Sequence, residues 1–350
     1  MRFGLFFLMQ RDPEWAEQAV YEAELEQMVA AEALGFESVW VAEHHFSDYG
    51  LCPAPPVLAA HVAARTRALR LGMGVSLLPL HDPLKLAEEL AVLDQVSGGR
   101  LDVGIGRGGA GPDYAAFGAS YDESRARQEE GIALLRACWS GEPLQFAGRF
   151  RSVGGVRVTP RPRQQPHPPL FIAANSSDSN LSAARLGLPT LSSFFVPAAE
   201  LRRRREAFRT EALAAGHDQA TVQALHERSC GMRCIFVARD RAEAIATVRG
   251  PFMAYQERLS SRRNVRERLG FGYLRPFEEY LEEGLASFGG PDEVVESLQR
   301  YAAETGYERV LILMALAGVP GVATLRSMEL FASQVMPRLA GVATGAGQPS

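Results

Sequence analysis

The sequence predicts a (β/α)8 barrel, and three observations lead to that fold. Apolar strand-like runs alternate with helical segments along nearly the whole chain, the runs number eight, and 350 residues suit one barrel. The alternation argues for right-handed βαβ units and a parallel sheet, and eight units argue for closure.

The units follow in order. RFGLFFL opens the chain, and a helix is expected from about Gln18 to Leu34. SVWVAEHHF comes next, with a helix from Val57 to Arg67. LRLGMGVSLLP leads to a helix beginning near Pro83, and RLDVGIGRG leads through a loop to a helix from Glu123 to Trp139. LFIAAN precedes a helix ending at Arg185, and PTLSSFF precedes one from Ala198 to Ala215. GMRCIFVA is followed by a helix from Asp240, and RVLILMA by a helix from Gly321 to Arg338. Residues 144–168 read as an inserted hairpin with a proline-rich return. Residues 260–288, charged and aromatic, read as a lid loop between units seven and eight, because connections of that length inside a compact domain are usually functional. The segment 341–350 reads as a flexible tail, leaving 1–340 as one barrel domain.

Composition narrows the function. A net charge of −4 gives no reason to expect nucleic acid as a partner. The apolar run Phe3–Met9 is short and no cleavage pattern follows it, so it reads as a strand and not a signal peptide. No apolar stretch nears the roughly 20 residues of a membrane span, and a cytoplasmic protein is expected. Of the four cysteines only Cys230 and Cys234 are close, without the second pair a zinc ribbon needs, so buried thiols are expected. Lys85 is the one lysine, and it sits at a helix start, which speaks against Schiff-base chemistry at a strand end.

In such barrels the active site lies at the carboxyl ends of the strands. Those ends carry Glu43-His44-His45, Ser76 to His81, Arg107, then Asn175, Ser176 and Ser179, then Ser192 and Ser193. Adjacent histidines on a regular strand face opposite ways, and no further ligand cluster accompanies them, so no metal site is expected. A histidine at a barrel mouth suits general acid/base work, though a structural role for His44 stays open. Gly104-x-Gly106-x-x-Gly109 matches the dinucleotide fingerprint but does not open directly into a helix. The glycines read instead as room for a flat ligand, with Arg107 offered to a phosphate; a tight loop with an exposed arginine is the alternative. NSSDSN at a helix start is either an anion site or ordinary capping, and its position one strand end after Arg107 favours a shared phosphate. Arg202 to Arg205 read as a solvated helix face.

At EHHFSDYG and DQVSGGRLDVGIGRG the chain resembles the alpha subunit of bacterial luciferase and its flavin-dependent monooxygenase relatives, and the resemblance runs from RFGLFFL to SMELFASQVMP. It implies a usually dimeric luciferase-like TIM barrel that takes reduced FMN (FMNH2) from a separate NAD(P)H flavin reductase. It also implies O2 as co-substrate, through a flavin C4a-peroxide that oxygenates a small or medium organic molecule. Carried over by motif, His44 matches the catalytic histidine and His45 its supporting neighbour. Arg107, Arg125, Ser176 and Ser179 match the phosphate grip, with Ala173 and Asn175 beside them. Gly74-Val75 falls where relatives carry a non-prolyl cis peptide under the flavin ring, and Gly106 lies beside that ring. Gly106, Asn175 and Gly109-Ala110-Gly111 depart from luciferase, which puts an aldehyde substrate and light emission in doubt. An F420-dependent hydride-transfer enzyme and a non-catalytic flavin-binding paralogue are the alternatives; the presence of both His44 and Arg107 favours an enzyme.

Overall fold

The computed structural model describes residues 1–109, 112–261 and 274–341. Its strands are β1 (Arg2–Phe7), β2 (Ser38–Val41), β3 (Arg70–Leu77), β4 (Leu101–Gly106), β5 (Leu144–Ala147), β6 (Ser152–Val156), β7 (Leu170–Ala173), β8 (Thr190–Leu191), β9 (Cys230–Val237), β10 (Ala286–Gly289) and β11 (Arg309–Leu313). The expected barrel is present: β1, β2, β3, β4, β7, β8, β9 and β11 pair in parallel, and the pairing of Leu191 with Cys230 closes the ring. Strands β5 and β6 form the expected hairpin, antiparallel and apart from the ring.

Side-chain alternation sorts the barrel strands into two cores. On β1, Phe3, Leu5 and Phe7 join the layer between sheet and helices, while Phe6 joins the inner core. Trp40 of β2 meets Phe171 of β7 edge-to-face at 5.3 Å, and since these strands are not neighbours the contact crosses the barrel interior. Glycines make room for it. A Cβ on Gly72 would lie 2.0 Å from Trp40 Cδ2, and one on Gly104 would lie 2.3 Å from the Met73 carbonyl oxygen. Emptying the interior at Trp40 should cost about 3–5 kcal/mol, the usual range for a large aromatic truncated to alanine.

The helices include α1 (Glu17–Ala33), α2 (Pro55–Arg65), α3 (Pro83–Val96), α4 (Pro112–Ala116), α5 (Ser124–Trp139), α6 (Ser177–Leu186), α7 (Ala198–Ala214), α8 (Gln219–Arg228) and α9 (Arg241–Ser261). Local chemistry sets several boundaries. Asp82 accepts from the Leu84 N–H ahead of α3, with Pro83 at the first position. Asp218 caps α8 through the Thr221 N–H, and the sequence reading had no helix there.

Two further differences concern the end of the chain. The supposed lid does not extend to residue 288: residues 277–282 are helical, β10 pairs with β9, and Phe277, Tyr280 and Phe288 are buried in the inner core. Phe277, Tyr280 and Phe288 pack against Phe252 of α9, which meets Tyr280 at 5.0 Å. Arg262, Arg263, Arg266 and Arg268, like Ala110, Gly111 and the tail from 342, lie outside the described residues. The expected last helix changes pitch, running α-helical over Gly321–Leu330, in a π turn over Phe331–Val335, and α-helical again over Met336–Leu339.

All four cysteines are buried and free, and burial pushes the Cys52 thiol up to about 12. Lys85 lies in the first turn of α3, exposed and 3.2 Å from Glu89. Among the described residues, no helix is long and apolar enough to cross a membrane.

Candidate active site

The carboxyl ends of β2, β3, β4 and β7 are consecutive around the ring, and the candidate residues collect there. Beyond β2, Glu43 and His45 turn to the same side. The Glu43 carboxylate accepts from three donors: His45 Nε2 and His81 Nε2 at 3.0 and 2.8 Å on Oε1, and the Leu77 N–H at 3.1 Å on Oε2. Burial alone would raise this carboxyl, but the two imidazoles and the backbone N–H outweigh it and hold Glu43 below the usual carboxylate range. The same contact acts on His81 with the opposite sign: burial lowers it, yet the hydrogen bond and charge of Glu43 raise it overall. Glu43 therefore ties the end of β2 to the end of β3. Neither Glu43 nor His81 received a role from the sequence; the available signal was a carboxylate two residues before His45, one strand away from a histidine.

His44 is placed differently. Its ring lies edge-to-face on Tyr49 at 4.8 Å, and Tyr49 stacks on Tyr255 at 6.1 Å. The backbone is fixed by the His44 N–H donating to the Cys52 carbonyl at 3.0 Å. Gly50 packs so closely that a Cβ there would lie 2.6 Å from His44 Cδ2. His45 is buried against Phe117, ring centroids 4.9 Å apart, so the two histidines serve separate surroundings. Among the described residues, the three non-glycine residues with left-handed backbone, Met9, Phe46 and Phe195, each follow the carboxyl end of a barrel strand. Bulky residues seldom adopt that conformation, and such positions cluster at functional sites.

On β3 the register with β4 shifts between Met73 and Ser76, a bulge that spans Gly74 and Val75. The Gly74–Val75 peptide is cis. The bulge aims Val75 across β4: a Cβ on Gly106 would lie 2.4 Å from Val75 Cγ2 and 3.6 Å from Ala173 Cβ. The reading of Gly106 as added room for a ligand is thereby corrected, because the space its missing side chain leaves is filled by Val75. What faces outward at this point is a low wall of two half-buried aliphatic side chains, Val75 and Ala173.

The polar candidates form one continuous run. Arg107 Nη1 donates to Ser124 Oγ at 3.2 Å at the start of α5. The next residue, Arg125, donates to Asp178 Oδ2 at 2.7 Å, in the first turn of α6. Ser176 caps that helix, its Oγ accepting from the Ser179 N–H at 3.2 Å and lying 3.1 Å from Ser179 Oγ. Asn175 is half-buried at the entry to this turn. Arg204 supports the turn from behind, donating to the Ala174 carbonyl at 3.3 Å and to Glu200 at 2.8 Å. Arg204 is buried, which corrects the reading of Arg202 to Arg205 as a uniformly solvated face. Asp178 and Arg204 were both missed by sequence reasoning. The arrangement offers two guanidinium groups, two hydroxyls and a helix start to an anion, with one carboxylate already on Arg125. Among the described residues, no group of three or more His, Cys, Asp or Glu is arranged to hold a metal ion.

A parallel barrel with arginine and serine at adjacent strand ends and a histidine pair at the mouth defines a class of protein that the comparisons specify. The family model for luciferase-like monooxygenases matches residues 1–309, and the chain belongs to that family. The crystal structure of the monooxygenase RslO1 from Streptomyces bottropensis is similar at 32% identity and a TM-score of 0.83, covering 96% of this chain and 99% of that one. The oxygenase component of flavin-dependent trigonelline monooxygenase from Acinetobacter baylyi is 33% identical over 53% of this chain and 52% of its own. The oxygenating constituent of 3,6-diketocamphane monooxygenase from Pseudomonas putida, in complex with FMN, shares the fold with a TM-score of 0.81. It is 21% identical, over 96% of this chain and 98% of its own. The protein is an oxidoreductase of the luciferase-like monooxygenase class.

Proposed function

We propose that the protein is the oxygenase half of a two-component system, taking FMNH2 from a separate NAD(P)H flavin reductase and using O2 to oxygenate a small or medium organic molecule. The observation that carries this reading is the unbroken contact run from Arg107 through Ser124 and Arg125 to the Ser176 turn, set beside the Val75–Ala173 wall. The trigonelline relative, itself an oxygenase component, and the FMN held by the diketocamphane enzyme support it.

The residues present fit an FMN molecule. Arg107, Arg125, Ser176 and Ser179 would hold a phosphate tail, with Asn175 at its edge and Arg204 adding positive charge behind the turn. Gly74, Val75, Gly106 and Ala173 would form the surface under a flat ring. When bound and reduced, the flavin supplies the electrons with which O2 is activated. His44 is assigned the proton-handling role at the mouth, imidazole being the side chain best suited to general acid/base work. His45, fixed through Glu43, is a positioning residue for the β2 turn. Exposed Val57 on α2, with Val92 and Val96 on α3, supports a homodimer formed through the helices of units two and three.

Anaerobic titration with FMNH2, followed by mixing with oxygen, tests the reading. Saturable binding and an oxygen-dependent absorbance transient are expected. Binding without any reaction with oxygen would favour the non-catalytic paralogue, and oxygen-independent turnover with reduced F420 would favour the hydride-transfer enzyme. His44→Ala should keep FMNH2 affinity within a few-fold while lowering oxygen consumption in the reductase-coupled assay by about 10²–10⁴-fold. Unchanged turnover would remove His44 from the chemistry.

A further inference from the structure

Helix α7 divides its arginines between two uses. Arg203 and Arg204 both pair with Glu200, at 2.6 and 2.8 Å. Arg202, Arg205 and Arg209 recur at helical spacing on another face and line a cavity of about 610 Å³ between α7, α8 and the end of the helix Pro291–Thr305. Among the described residues, Arg202 and Arg205 form no ion pair, and Arg209 donates only to the neutral Gln219 amide oxygen at 3.0 Å. Arg205 lies over the Tyr307 ring at 4.8 Å with its buried Nη1 lacking a hydrogen-bond partner.

His226, in the last turn of α8, lines the same cavity with a buried and unpartnered Nε2, its ring packed on Phe208 at 5.2 Å. Burial, together with the charges of Arg205 and Arg209, lowers the imidazole to about 4, so it is neutral at pH 7 and adds no cation of its own. Buried polar groups are normally satisfied, and two residues that border this space each hold an unspent one. Carboxyl ends of helices do attract arginines, but neither Arg202 nor Arg205 donates a hydrogen bond to a helix carbonyl among the described residues. The cavity also lies away from the mouth. His226 and Tyr307 lead into the amino ends of β9 and β11, whereas the mouth is at the carboxyl ends.

We propose that this cavity is a second ligand site, built for a phosphate monoester of a small hydroxyl-bearing molecule. Arg202, Arg205 and Arg209 would grip the phosphate with planar, charge-assisted donors, and His226 beside them would feel its charge. Glu206 and Glu304 also line the space and would accept from hydroxyls, which disfavours a bare polyanion. The volume falls in the range of small-molecule sites, roughly 300–1,000 Å³, and exceeds what inorganic phosphate fills.

The test uses the full chain with ¹³C-labelled histidine, the His226 signal assigned through His226→Gln, and FMN present to saturate the mouth. Ribose 5-phosphate should shift the His226 resonance saturably and raise its midpoint by about one pH unit or more, since an anion offsets the neighbouring arginines. Ribose should leave the signal unmoved, and inorganic phosphate should bind more weakly than ribose 5-phosphate. Arg202→Gln and Arg209→Gln, both at exposed positions, should together weaken ribose 5-phosphate by about tenfold or more while leaving FMN affinity unchanged. The proposal is overturned if about 20 mM ribose 5-phosphate fails to move the His226 signal, or if the double variant binds as tightly as the parent. Either result leaves the flavin reading standing, because FMN binding is followed separately in the same samples.

Discussion

The turn after β2 and the inner face of α1 each bury a glutamate, and the two carboxyls end in opposite states. Glu43 receives three hydrogen bonds and stays ionised, held below its ordinary range. Glu24 receives one, from the Met9 backbone, its Oε2 has no partner, and burial pushes it up to about 8. Gln10 and Gln27 likewise hold buried amide atoms without partners. Burial is shared by both sites; the supply of donors decides the charge. The mouth of the barrel is built to keep a charge, and the α1 face to suppress one.

Replacing Glu43 should have the largest effect. Glu43→Gln removes charge-assisted hydrogen bonds from two imidazoles, each worth about 1.5–3 kcal/mol, so a loss of about 3 kcal/mol or more is expected by denaturant unfolding at pH 7. The pH profile carries the sign. Because the folded pKa of Glu43 lies below the unfolded one, its contribution is present above the unfolded value of about 4.5 and is lost as pH falls through the folded pKa. His81 is raised, so its contribution is full below about 6.5 and is lost as pH rises through its folded value. The variant should lose both limbs; a profile parallel to wild type would break the comparison at its first member.

Glu24→Gln should act in the other direction. The folded state holds this proton more tightly than the unfolded chain, so wild-type stability should fall as pH rises from about 4.5 to about 8. The amide variant should lack that decline and gain about 2–4 kcal/mol over wild type at pH 9 once relaxation is allowed for. Equal stability of the two proteins at pH 5.5 and pH 9 would show that Glu24 is solvated in solution. The smallest effect concerns a third, exposed carboxylate. Asp178 occupies Arg125, the residue proposed to hold the phosphate, and on that proposal Asp178→Asn should tighten FMN binding by about threefold, an effect that shrinks in high salt. Weaker binding in this variant would mean that Asp178 orients Arg125 and does not compete for it.

Much of the fold was legible because strand runs such as RFGLFF and RLGMGVSL are apolar on both faces, as strands buried between helices and a filled interior must be. Strand β10 was hidden because ASFG is four residues with no β-branched side chain and follows a charged stretch. The helix Pro291–Thr305 was readable in principle, with proline at its first position and Glu293 returning to the Gly290 N–H, but it lay in the shadow of the supposed lid. At the candidate site, the places of residues at strand ends and a helix cap were visible, among them His44, Arg107 and Ser176. Partnerships made across strand ends were not. Nothing in the local pattern says that Glu43 will collect His81, that Asp178 will cross to Arg125, or that Val75 will fill the gap at Gly106.

The lone lysine gives the molecule a single side-chain amine. Lys85, Glu89, Val92 and Val96 follow one another at helical spacing along one face of α3, the face assigned to self-association. An amine-directed dye would attach at this one lysine side chain and at the Met1 amino group, and quenching of the Lys85 label on assembly would report subunit exchange without any engineered cysteine.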